Sequence, residues 1–145
     1  MNRTVLLLLV SICFSPLDAA EKCVEIGGSS NSYSDKTIVC GQRANDIIRN
    51  ISVSKIRDQI YEGNYSADLK VENNNEVEIT IRSLLAKFVD YSGKIVGLCS
   101  NDVAEVLEPG SQSKLSIKCP NYKFASAGEK EVSDVLFTAT PFSGT

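Results

Sequence analysis

Apolar and polar residues alternate with a period of two through the middle of the chain. Ala67, Leu69 and Val71 alternate with Asp68, Lys70 and Glu72; after three asparagines, Val77, Ile79 and Ile81 alternate with Glu78, Thr80 and Arg82. That is the period of a half-buried strand, so both flanks of Asn73, Asn74 and Asn75 are predicted strands. Asparagine tolerates left-handed backbone and bonds its side chain to nearby backbone groups, which makes the triplet a corner in preference to a ligand site. Beyond Arg82 the parity changes, and Leu84, Ala86 and Phe88 fall on even positions. A straight continuation would turn the apolar face outward, so Ser83 marks a bulge or a change of sheet.

The same reading extends in both directions. FVDYSGKIVG gives a strand end, a turn over Asp90 to Gly93 and a new strand from Lys94 to about Cys99. EPGS at 108–111 has Pro and Gly in the order of a type II turn, and SKLSIKC puts Leu115, Ile117 and Cys119 on one face. VLFTATPF is the last strand, ending at Pro141. Lys22 to Ile26 and Thr37 to Cys40 form two short strands around the polar loop GGSSNSYSD. DIIRNISVSKIRDQIYEG is ambiguous: Ile48, Ile51, Ile56 and Ile60 permit a helix, whereas Ile51 and Val53 alternate as in a strand. A strand from Ile51 to Ile56 is preferred, with a short helical turn around Arg57 to Tyr61. About seven or eight strands with regular turn signals and no long amphipathic helix predict an all-β, antiparallel, immunoglobulin-like sandwich.

The first twenty of the 145 residues change the picture. Arg3 precedes an apolar run, Val5 to Val10, resumed by Ile12, Cys13 and Phe14 and closed by Pro16 and Asp18, the pattern of a cleaved secretory signal. The run is too short to cross a bilayer. Cleavage after Ala19 or Ala20 is expected, leaving one domain over residues 21–145; Cys13 as an acylated cysteine is the rival reading, disfavoured by Ile12 before it. Residues 21–145 keep Cys23, Cys40, Cys99 and Cys119, an even set expected to pair outside the reducing cytosol. Sequence allows three connectivities. The local pattern, Cys23–Cys40 and Cys99–Cys119, is simplest, the first stapling the amino-terminal hairpin and contributing about 3 kcal/mol in the chain-entropy model; a crossed pairing is the other arrangement. Zinc fits poorly, because there are no closely spaced cysteine pairs and no histidine.

Candidate chemistry is sparse. Without histidine the usual base of serine and cysteine nucleophile systems is missing. Glu76 and Glu78 are read as the wet side of a strand before a glycosidase pair, and GGSSNS lacks the spacing and the lysine of a phosphate cradle. The formal net charge is −3, with no Lys/Arg stripe, so nucleic acid is a poor partner. No cofactor is expected. Two sequons, at Asn50 and Asn64, are surface glycan acceptors only if the source is eukaryotic.

Residues 67–119 resemble the FxLYD-like immunoglobulin-like accessory domains of bacterial envelope proteins. The resemblance rests on KVENNNEVEI, on AKFVDYSGKIVG with Phe88, Asp90 and Gly93, and on VLEPGSQSKLSI with Pro109 and Gly110. These are turn and packing residues, so the resemblance speaks to fold more than to function. It implies a bacterial envelope setting.

The expectation is therefore a secreted or periplasmic, non-enzymatic module that binds a protein partner as an accessory to a cell-envelope assembly. The alternative is a small inhibitor or immunity protein acting through GGSSNSYSD. Candidate interface residues are the tyrosines of predicted loops, Tyr33, Tyr61, Tyr65 and Tyr91, and Val135 and Phe137 of the last strand, should it lie at a sheet edge. Against this, each tyrosine could cover a core edge with its ring and leave its hydroxyl in water.

Overall fold

The computed structural model describes residues 22–27, 37–120 and 132–141. The segment 1–20, expected to be a cleaved signal, lies outside them. Eight strands and one helix follow in the order β1 (Cys23–Ile26), β2 (Thr37–Cys40), α1 (Gln42–Arg49), β3 (Ile51–Tyr61), β4 (Asn64–Asn73), β5 (Ile79–Asp90), β6 (Ile95–Leu107), β7 (Gln112–Cys119) and β8 (Val132–Thr140). Two antiparallel sheets face each other as an immunoglobulin-like sandwich. Sheet A runs β2-β1-β5-β6 with β8 also on β5; sheet B runs β3-β4-β7. On one flank of β5, β1 pairs at Ile26↔Ile79 and β8 takes over from Ser83 to Asp90.

The core follows from alternation. β4 contributes Tyr65, Ala67, Leu69 and Val71, β7 contributes Ile117 and Cys119, and β5 answers with Ile79, Ile81, Leu84, Ala86 and Phe88. The parity change at Ser83 is a bulge: the β5–β6 register slips between Ile81 and Ser83, and β5 stays in one sheet. The slip returns Leu84, Ala86 and Phe88 to the interior, where each is fully buried.

The asparagine triplet is the corner where the chain leaves sheet B for sheet A, and it is built from the inside. Asn73 is fully buried. Its Nδ2 donates to the carbonyls of Val77 (2.8 Å), Leu107 (3.0 Å) and Glu108 (3.2 Å). Its Oδ1 accepts from both nitrogens of Asn75, each at 3.0 Å. Asn75 Nδ2 also donates to the Ile47 carbonyl in the last turn of α1 (3.0 Å), which accepts as well from the Asn50 amide at the helix end (3.2 Å). The Gly110 amide donates to the Asn73 carbonyl (2.8 Å), and the Asn73 amide to the Ser111 carbonyl (2.9 Å). Corner, helix end and Pro-Gly turn are thus one hydrogen-bonded unit. In the turn itself Gly110 has φ 71°, with the Ser111 amide on the Glu108 carbonyl (3.0 Å).

The ambiguous segment is both helix and strand. α1 ends at Arg49, with Ala44 and Ile47 buried, and β3 starts two residues later, running past Ile56 to Tyr61. The helical turn expected at Arg57 to Tyr61 is absent. Those residues pair with Asn64 to Asp68 across a two-residue turn, Glu62 and Gly63, with φ 48° and 77°. Both central residues of a type I′ turn are left-handed; Glu at the first, where Asn or Asp is usual, hid the hairpin. Likewise β6 is much longer than the strand predicted to end near Cys99.

Candidate functional site

The two outer faces of the sandwich differ in chemistry. On sheet B, Asp68 is the hub of a polar ladder: Arg57 Nε lies 2.6 Å from Oδ2, Lys114 Nζ 3.2 Å, and Ser116 Oγ donates to Oδ1 at 2.7 Å. The Ser116 bond, followed by those from Arg57 and Lys114, holds the Asp68 carboxyl well below the usual range. Glu72, bonded by Lys70 (2.9 Å) and Ser52 (3.1 Å), is lowered for the same reason. On this face both carboxylates, Asp68 and Glu72, are paired within the molecule.

The outer face of sheet A is apolar at the end nearest the Asp90 turn. Lys87 of β5 is flanked by Leu98 on β6 and Leu136 on β8; the neighbouring row is Ile95, Val89 and Asp134. Cross-strand partners share a face, and Phe88, between Lys87 and Val89, points into the core. Leu98 is 62 % exposed, and Ile95 and Leu136 are each 49 % exposed. Val89 is buried at 6 %, yet it is not part of the central core cluster. Tyr91, 76 % exposed, stands at the adjoining turn. That turn is rigid: Asp90 Oδ1 accepts from the Ser92 amide (2.9 Å), Ser92 Oγ (2.6 Å) and the Lys94 amide (3.0 Å), which lowers the Asp90 pKa. Lys87 makes no ion pair among the described residues.

Two seams join the sheets. The β6–β7 seam is closed by the Cys99–Cys119 disulfide, with Cα atoms 5.9 Å apart. Beside it the Asn101 side chain acts as a rung of strand, donating to the Lys118 carbonyl (2.9 Å) and accepting from the Lys118 amide (2.7 Å). The β3–β8 seam has no such closure: among the described residues β8 pairs only with β5, and β3 only with β4.

Of the sequence candidates, Tyr91 and Tyr61 are exposed, Tyr61 at 67 % on the β3–β4 hairpin. Tyr65 is corrected. It is a β4 residue, buried among the core side chains, its ring edge-on to Phe88 at 5.2 Å and 82°. Its hydroxyl donates to Asp58 (3.1 Å), and burial first, then Asp58, raises its pKa. It reads as a loop residue in the sequence because it lies only two residues past the Glu62–Gly63 turn. Val135 and Phe137 face inward and are half-buried; the outward residue of that strand is Leu136, which sequence reading missed. Its parity was available from the buried Ala139, but only pairing with Lys87 gives it a neighbourhood. Tyr33 and most of GGSSNSYSD lie outside the described residues. Cys23 and Cys40 are disulfide-bonded across the β1–β2 hairpin at directly opposed positions. Asn50 and Asn64 are exposed.

Among the described residues no group of three or more His, Cys, Asp or Glu is placed to hold a metal ion, and no helix is long and apolar enough to cross a membrane. Glu78, Glu105 and Glu108 line a shallow groove of about 350 Å³ with Ser111, Gln112 and Ser113; Ser113 Oγ donates to Glu105 (2.6 Å). Glu76 is exposed in the corner, and neither it nor Glu78 lies on a strand, because β5 begins at Ile79. Comparison with known proteins returns no match to a family model, a curated protein or a solved structure.

Proposed function

We propose that this chain is an exported, non-enzymatic protein-binding module of the bacterial cell envelope, and that it docks its partner on the outer face of sheet A. The observation that carries the reading is the cluster of Ile95, Leu98, Leu136 and Tyr91 around Lys87, a cation that makes no ion pair among the described residues. Exposed contiguous apolar surface rimmed by polar groups marks interaction sites, and aromatic anchors carry interface energy. The partner surface that fits is apolar with a carboxylate placed for Lys87. A desolvated carboxylate at Lys87 fixes register and partner choice more than raw affinity. The signal-like amino terminus and the resemblance to FxLYD-like accessory domains support the envelope setting, and the lack of histidine supports a binding role over catalysis.

The test is affinity capture from the native envelope extract with the processed chain as bait, alongside Leu98→Glu and Tyr61→Ala. The expected result is a protein captured by the wild type and by Tyr61→Ala and lost with Leu98→Glu. Capture that survives Leu98→Glu overturns the assignment of this face.

A further inference from the structure

The two disulfides differ in what surrounds them. Cys99–Cys119 belongs to the interior: Cys119 is 2 % exposed and Cys99 packs against the core cluster. Cys23–Cys40 lies at the open end of the β1–β2 hairpin, with Cys40 exposed and Cys23 half-buried. The hairpin has other ties to the body. Beside the disulfide the Gly41 amide donates to the Lys22 carbonyl (3.1 Å), and farther along Val24, Ile26 and Val39 are buried in the core. The Gly27 amide bonds the Glu78 carbonyl (3.0 Å), and Glu25 pairs with Arg82 (3.3 Å). Opening this disulfide therefore leaves the hairpin seated. In addition, α1 begins two residues after Cys40. Its first turn holds Arg43 and no acidic residue, and among the described residues no side chain caps it. A helix N-terminus and a nearby cation both favour a thiolate.

We propose that Cys23–Cys40 is a redox-active disulfide that exchanges with a dithiol, and that Cys40 is the sulfur attacked. A thiolate of the dithiol attacks Cys40 Sγ and forms a mixed disulfide there; the bond to Cys23 breaks, and Cys23 leaves as a thiolate that takes up a proton. The second sulfur of the dithiol, deprotonated, then attacks its own half of the mixed disulfide, and Cys40 leaves as a thiolate. Two electrons thus pass to the pair, and the dithiol becomes a disulfide. Its two protons go to Cys23 and, below the pKa of Cys40, to Cys40. The position of Cys40 ahead of α1 favours the second step, because a thiol of low pKa leaves faster. Exposed disulfides are the labile and regulatory ones, whereas structural ones resist reduction. This chain carries one of each kind.

The inference goes beyond the proposed docking face and does not rest on it. Its test is a titration of the processed, folded chain with dithiothreitol, with free thiols alkylated and their peptides identified by mass spectrometry while circular dichroism follows the fold. The expected result is labelling of Cys23 and Cys40 with Cys99–Cys119 intact and the β-sheet spectrum unchanged, and closure of the pair again when oxidised glutathione is added. In Cys23→Ser, oxidised glutathione should form a mixed disulfide at Cys40; in Cys40→Ser, Cys23 should react far more slowly. Reduction of both pairs together, reduction of Cys99–Cys119 first, or reduction only as the sheet signal is lost overturns the proposal. Faster glutathione attachment at Cys23 than at Cys40 overturns the assignment of the attacked sulfur. Partner capture enters none of these readouts, so their failure leaves the docking face standing, and loss of the docking face leaves them unchanged.

Discussion

Tyr65 of sheet B and Phe88 of sheet A meet edge-to-face inside the sandwich, ring centroids 5.2 Å apart at 82°. The hydroxyl end of Tyr65 reaches Asp58 at the margin while the ring is packed inside, the amphipathic use that suits tyrosine. Phe88→Ala should destabilise by about 3–5 kcal/mol through the cavity it leaves. Tyr65→Phe, which keeps the ring and drops the bond to Asp58, should cost only about 1 kcal/mol. Urea denaturation distinguishes them; equal effects would contradict this packing.

The asparagine corner predicts a graded series. Asn73→Ala removes donors to three carbonyls and the acceptor for Asn75, and buried groups left unsatisfied cost about 1–3 kcal/mol. Asn74 is exposed and reaches only the hydroxyl of Ser52 with its side chain, so Asn74→Ala should stay within about 0.5 kcal/mol. Denaturation midpoints check the order.

How far the fold could be read in advance follows from the range of each contact. Alternation exposed β4, β5 and β7 because one face of each is buried and the other wet. The Ser83 bulge was visible as a parity change. β3 was obscured because its distal half, Ile56 to Tyr61, is exposed on both faces and keeps no periodic signal. The corner asparagines were recognisable as turn formers, but not their bonds to Leu107 and Ile47, which lie 34 and 28 residues away. For the candidate site the limit was the same. Leu98, Lys87 and Leu136 come from three strands, and only register places them in one row.

Asp68 makes stability pH-dependent. Its carboxyl titrates lower in the folded chain than the ordinary aspartate value of about 3.9. Its contribution is therefore fully present above that value and is lost as pH falls toward the folded value. Asp68→Asn removes the charge that Arg57 and Lys114 face. The stability gap between wild type and variant should be widest near neutrality and shrink below about pH 4. Denaturation midpoints across pH test this; a gap independent of pH would contradict the ladder.

The two disulfides should fail differently. Each closes a loop of similar length, 17 or 20 residues in separation, so replacing either pair by serine should cost about 3 kcal/mol in the chain-entropy model. Loss of Cys23 and Cys40 should loosen the β1–β2 hairpin locally, because β1 pairs with β5 only at Ile26↔Ile79. Loss of Cys99 and Cys119 should open the β6–β7 seam at that end, leaving the Asn101–Lys118 and Ser113–Glu105 bonds to hold it. Limited proteolysis with mapped cleavage sites reads the difference.

The central claim is that the working side of this sandwich is the flank of sheet A that carries β8, not the charged β3 edge. Hydrogen–deuterium exchange of the processed chain, followed peptide by peptide with and without the captured envelope partner, tests it most directly. The account predicts partner-dependent protection over residues 95–98 and 132–140 with none over 55–61. Protection that rises at 55–61 while 132–140 stays unchanged would contradict it.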